Sequence, residues 1–141
     1  MGSTEAASVL LVSATMLKVP DNVCVAIIDD DESFCRSSTR MLHAAGIQSV
    51  SYPSAEEFLA DPVRRRYACL LVDIQLGRMS GLEMQQALVA EGSRIPIIFI
   101  TAHDDPVTRE RARSGLAYLQ KPFREDALIG AIQQALENRR A

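Results

Sequence analysis

The sequence predicts an α/β protein of the (βα)5 type, a doubly wound sheet of five parallel strands, and three observations carry that prediction. From Val23 onward, short apolar runs alternate with segments of helical period, the arrangement of a parallel sheet with crossover helices. The central runs, "ACLLV" and "IIFI", are apolar throughout, as strands covered on both faces must be. Helix-starting signals fall in the gaps between runs. "SAEE" from Ser54 and "SGLE" from Ser80 match a capping box, and Asp105 with Pro106 puts a proline in a first helical turn.

Taken in order, the expected strands are 23–28, 47–52, 68–72, 95–100 and 117–120. Gly46 and Gly115 are read as stopping the helices before the second and fifth strands. The last helix, 125–139, carries Leu128, Ala131, Ile132, Ala135 and Leu136 on one face, so it packs on the sheet. No internal repeat, low-complexity tract or long linker interrupts the pattern.

At 141 residues with 48% hydrophobic content, the chain fits one domain with a real core. A net charge of −3 argues against a general nucleic-acid surface. Cys24, Cys35 and Cys69 have no C-x-x-C spacing and sit in or beside apolar segments, which reads as buried thiols in a reducing cytosol. The early apolar stretch "AASVLLVSATML" is too short to span a bilayer and lacks the basic residues that precede a secretory signal. Residues 1–21 are therefore expected to be an N-terminal extension, and 22–141 the domain; no membrane contact is expected.

In open parallel sheets, ligands bind beyond the carboxyl ends of the strands. Four of those ends carry polar residues of complementary types. Asp29, Asp30 and Asp31 follow the first strand, Asp73 the third, Thr101 the fourth and Lys121 the fifth. Clustered carboxylates repel, so they call for a compensating charge, and a hard divalent cation such as Mg²⁺ takes carboxylate oxygens. Capping of the next helix is the plainer account, and it suits Asp31 best. A cation, a lysine and a hydroxyl around one aspartate suit phosphoryl transfer, with the aspartate as in-line nucleophile forming an acyl phosphate. Asp73, alone at the end of "ACLLVD", is the candidate nucleophile. No glycine-rich phosphate loop occurs, so nucleotide binding is unsupported.

The segments "AIIDDDESF", "LLVDIQLGRMSGLEM", "IIFITAHDD" and "YLQKPF", in this order and spacing, resemble the receiver domain of two-component response regulators across residues 23–139. The resemblance implies a flavodoxin-like sheet of strand order 2-1-3-4-5. It also implies Mg²⁺-dependent phosphorylation of Asp73 by a sensor histidine kinase or a histidine phosphotransfer protein, in the cytoplasm. By the same resemblance, Asp29, Asp30, Asp73 and the backbone carbonyl of Gln75 hold the metal, with Asp29 acting largely through water. Thr101 and Lys121 bind the phosphoryl oxygens, Tyr118 is the aromatic switch, and Pro122 follows a cis peptide bond. Output passes through the fourth helix, fifth strand and fifth helix, a face that also dimerises in the family, to a fused or separate output domain. Such a domain catalyses only its own phosphorylation and dephosphorylation and makes no direct nucleic-acid contact.

Two features depart from the family. Gly77 stands where a proline is frequent, which predicts a looser loop, and the stretch from Thr101 to Lys121 is slightly short, which leaves the path of the fourth helix open. Other residues have plain readings. His43 is an exposed residue in a last helical turn, and the arginines 64–66 form a solvated turn. His103 lies either at the pocket's mouth, where it would gate water attack on the acyl phosphate, or simply on the surface. Two rival functions fit part of the pattern. A Mg²⁺-dependent phosphatase or phosphotransferase with an aspartate nucleophile would need a substrate-binding insertion that the short connections do not provide. A non-phosphorylated protein-binding pseudo-receiver would be expected to lack one of the five residues Asp29, Asp30, Asp73, Thr101 and Lys121.

Overall fold

A computed structural model describes residues 23–140, and the expected extension 1–21 lies outside them. The chain runs β1 (Cys24–Ile28), α1 (Glu32–Ala44), β2 (Gln48–Tyr52), α2 (Ala55–Ala60), β3 (Cys69–Asp73), α3 (Gly81–Ala90), β4 (Ile97–Thr101), α4 (Pro106–Arg111), β5 (Ala117–Gln120) and α5 (Glu125–Arg140). All strands pair in parallel, in the order 2-1-3-4-5. The (βα)5 expectation holds.

Alternation along β1 shows how the sheet divides the core. Val25 and Ile27 enter one buried cluster with Leu42 of α1 and Leu128 and Ile132 of α5. Ala26 and Ile28 enter the other, with Phe58 of α2 and Met84 and Leu88 of α3. Successive side chains in a strand point to opposite faces, so each central strand feeds both clusters and must be apolar at every position. At the edge, β2 needs no such pattern, and Gln48, Val50 and Ser51 are exposed.

Local sequence sets the helix ends. Asp31 Oδ1 accepts the Phe34 N–H (3.1 Å), so Asp31 caps α1. Ser80 and Glu83 close a full capping box on α3, each side chain taking the other's N–H at 3.1 Å. Ser54 and Asp105 cap α2 and α4 in the same manner. Gly46 ends α1 at φ +79°, with its own N–H on the His43 carbonyl and the Ile47 N–H on that of Leu42, a left-handed turn that glycine adopts without cost. Gly115 also ends a helical stretch, the 3₁₀ turn after α4, with its N–H on the Ala112 carbonyl, but its backbone is extended at φ −83° rather than left-handed. It is needed because a Cβ there would lie 2.5 Å from the Phe99 ring.

The fourth helix, whose path the sequence left open, is short and gives way to a 3₁₀ turn at Ala112–Ser114. The 64–66 arginines form another such turn, in which Arg64 pairs with Glu91 at 2.6 Å and Arg66 bonds the Tyr67 hydroxyl at 2.7 Å. His43 is exposed, and none of the three cysteines is in a disulfide, Cys35 and Cys69 being buried. Among the described residues, no helix is long and apolar enough to cross a membrane.

Candidate functional site

The register of the central strands builds the site. Ile28 pairs with Val72, so Asp29, just after β1, lies beside Asp73, the last residue of β3. Thr101 ends β4 and Lys121 directly follows β5, whose Gln120 pairs with Thr101. Strands three and four thus run one residue further than the sequence suggested, because Asp73 and Thr101 still pair with their neighbours Ile100 and Gln120. Close packing against α3 holds Asp73 from beneath. A Cβ on Gly81 would lie 2.4 Å from the Asp73 carbonyl oxygen, so only glycine lets this helix start here.

Asp29 is 1% exposed and Asp73 7%, while Asp30 faces solvent. One oxygen of each buried carboxylate is fixed by backbone. Asp29 Oδ1 accepts the Asp31 N–H at 3.0 Å, and Asp73 Oδ1 the Gln75 N–H at 2.9 Å. Lys121 takes the other two, its Nζ lying 2.5 Å from Asp29 Oδ2 and 3.1 Å from Asp73 Oδ2. Carboxylate oxygens of Asp29, Asp30 and Asp73 all fall within 4.8 Å of one another. Three hard oxygen donors at that spacing fit a divalent cation of the Mg²⁺ type.

Burial pushes the Asp29 carboxyl above its ordinary range, the Lys121 and Asp31 bonds only partly countering it, with Asp73 adding repulsion. For Lys121, burial alone would lower the ammonium, but Asp29 and Asp73 outweigh it and hold it above its usual value, so the lysine is charged. The pocket therefore holds one fixed cation among three acidic groups. It has capacity for a further positive charge.

The other expected residues sit at the rim. Thr101 is fully buried, and its hydroxyl donates to the His103 carbonyl (3.2 Å) while accepting the His103 N–H (3.0 Å). His103 thus engages Thr101 through its backbone, while the residue itself is exposed. Gln75 is exposed and is tied to Asp73 by its N–H. Tyr118 donates its hydroxyl to Asp104 at 3.2 Å. The peptide bond between Lys121 and Pro122 is cis, as the resemblance implied. Sequence reasoning missed three participants. The Phe34 ring lies 4.1 Å from the Lys121 ammonium, and Asp104 and Arg109 hold Tyr118. Phe34 looked like an ordinary helix residue, and nothing in "AHDDPVTRE" distinguishes Asp104 and Arg109 from a solvated surface.

A buried carboxylate pair bridged by a lysine, at the carboxyl edge of a 2-1-3-4-5 parallel sheet, is the arrangement of a receiver-type signalling domain. Residues 25–133 match the family model of the response regulator receiver domain, and the chain belongs to that family. It is 36% identical over 115 residues to the response regulator protein TodT of Pseudomonas putida, covering 80% of this chain and 51% of that protein. Nodulation protein W of Bradyrhizobium diazoefficiens is 38% identical over 118 residues, covering 82% of this chain and 52% of its own. The chain spans about half the length of the curated relatives it matches. Among solved structures, a response regulator receiver protein from Burkholderia phymatum superposes with a TM-score of 0.72 at 38% identity, over 82% of this chain and 95% of that one. The protein is a signalling domain of two-component systems.

Proposed function

We propose that Asp73 is the phosphoacceptor and that Oδ2 is its attacking atom, since Oδ1 is already held by the Gln75 N–H. The donor is a phosphohistidine of a sensor kinase or a histidine phosphotransfer protein. The P–N bond breaks as the Asp73 O–P bond forms, leaving an acyl phosphate and a free histidine on the partner. Asp29, Asp30, Asp73 and the Gln75 carbonyl would hold Mg²⁺, Asp29 largely through water. The bound ion supplies charge neutralisation and orientation for the phosphoryl oxygens.

Lys121 gives up its bond to Asp73 Oδ2 and turns to a phosphoryl oxygen, which it can do as a charged donor with three rotatable N–H groups. Thr101 supplies a second donor once it leaves His103. The movement is felt at Tyr118 and across α4, β5 and α5, the face through which output or dimerisation follows. The domain so catalyses only its own phosphorylation and dephosphorylation, works in the cytoplasm, and serves an output domain, fused or separate. The observation that carries this reading is the lysine bonded to two buried carboxylates within a cluster of three.

Acetyl phosphate with Mg²⁺ tests it. Intact-mass measurement should find one phosphate, released by hydroxylamine and absent from Asp73→Asn, while Asp30→Asn should weaken Mg²⁺ binding without unfolding the chain. Labelling that survives Asp73→Asn would remove the assignment.

A further inference from the structure

Lys121 is placed by more than its two carboxylates. Its Nζ stands over the Phe34 ring, 4.1 Å from the centroid, and only 14% of its side chain is exposed. A cation over a ring face at this distance is attracted by the ring's negative face, more strongly where water is excluded. The ring is itself fixed on two sides. Phe34 is bound to the α1 cap through its N–H on Asp31 Oδ1, and its ring meets Phe123 edge-to-face at 5.7 Å and 87°. Phe123 lies two residues beyond Lys121, so the helix carrying Phe34 and the loop carrying the lysine are tied together at the pocket.

We propose that Phe34 is a positioning residue for phosphoryl transfer, holding the Lys121 ammonium by its ring face while the lysine exchanges a carboxylate oxygen for a phosphoryl oxygen. This rests on the phosphoacceptor reading of Asp73. The physical reason is directionality. Each N–H bond to Asp29 or Asp73 demands a particular angle, and breaking one with nothing in its place would leave a buried charge short of partners. The ring face has no such demand over a small displacement. It keeps part of the attraction while donors rotate from one oxygen to the next, and it holds the ammonium in the pocket while the negative charge moves from the Asp73 carboxylate to the phosphoryl oxygens.

The test replaces Phe34 in the whole chain with phenylalanines of increasing fluorination, which empty the ring face of negative potential while nearly preserving its size. Two readouts are followed. The initial rate of labelling by acetyl phosphate should fall progressively along the series, by about two- to thirty-fold in all, the span expected of a cation–π attraction. The Lys121 ε-methylene signals in NMR, read without phosphate or metal, should move from their ring-shielded position toward that of a free lysine. Phe34→Leu should lose both at once. If either readout stays constant along the series, the ring only fills space and the proposal falls. Failure of the unmodified chain to accept phosphate would instead strike the phosphoacceptor reading and with it the role in transfer, while the ε-methylene signals would still show whether the Phe34 ring holds the lysine.

Discussion

Tyr118 donates its hydroxyl hydrogen to Asp104 at 3.2 Å, and Arg109 grips the same carboxylate through two bonds of 2.6 Å. The Arg109 guanidinium also lies 5.9 Å from the centre of the Tyr118 ring. A loop residue and a residue of α4 thus hold Tyr118 toward α4. This arrangement gives the resting domain a defined latch.

Arg109→Ala should loosen that latch. Asp104 loses its partner, the Tyr118 conformer bonded to Asp104 loses support, and the equilibrium moves toward the conformer that a phosphoryl group stabilises. Affinity for beryllium trifluoride with Mg²⁺ should rise roughly two- to threefold, the scale of one exposed ion pair, and the gain should fade in high salt. Unchanged affinity would mean that the latch is not coupled to the pocket.

Alkali should open the latch as well. Burial, and then the hydrogen bond to Asp104, push the Tyr118 phenol above its usual 10.0. The folded chain holds this proton more tightly than the unfolded chain, so stability is unaffected below pH 10 and falls as pH rises from 10 through the folded value. Asp104→Asn removes the nearby negative charge and should bring the midpoint down, though not fully, because burial remains. Ultraviolet titration with Tyr118→Phe as the reference reads this directly. A wild-type Tyr118 midpoint at 10 would refute the environment described here.

The sheet was legible because buried parallel strands leave an unbroken apolar record, and Asp29, Asp73, Thr101 and Lys121 because the strands deliver them to one edge. Strand edges slipped by a residue or two where pairing continued through polar side chains, as at Asp73 and Thr101. What escaped were contacts between elements remote in sequence. Phe34 meets Lys121 through a helix's position over the sheet, and Gly115, which does end a helical turn, is held to glycine by the Phe99 ring beside it. Neither relation leaves a local pattern.

Gly77 and Gly81, close in sequence, should respond oppositely to alanine. A Cβ at Gly81 would lie 2.4 Å from the Asp73 carbonyl oxygen and 2.9 Å from Val72, and the backbone there cannot yield without moving Asp73. Gly81→Ala should cost about 1–3 kcal/mol and slow phosphorylation. A Cβ at Gly77 meets nothing within 4 Å, and its φ is not left-handed. Gly77→Ala should therefore gain about 0.4–1 kcal/mol by restricting the unfolded chain, and quiet any looseness of that loop. Urea unfolding distinguishes the two. Equal destabilisation would show that the Gly81 contact is not what constrains this loop.

Thr101 should separate accepting a phosphate from transmitting it. In the resting domain its hydroxyl is fully engaged, donating to one backbone group of His103 and accepting from the other. A phosphoryl oxygen on Asp73 offers a charged acceptor, and a charge-assisted bond is stronger than the neutral one to the His103 carbonyl. Thr101 then leaves His103, the loop from Ala102 to Asp105 is freed, and with it Asp104, which holds Tyr118. Beryllium trifluoride should therefore shift amide signals well beyond the pocket, through α4 and β5 to residue 130. Thr101→Ala removes the donor and leaves the carboxylates and Lys121 in place. It should still take up phosphate at Asp73, at a rate reduced by roughly ten- to 150-fold, the worth of one hydrogen bond to a charged group. The distant amide shifts should nevertheless disappear. If they persist in Thr101→Ala, the signal reaches α4 by another route, and the bonds between Thr101 and His103 are not the switch.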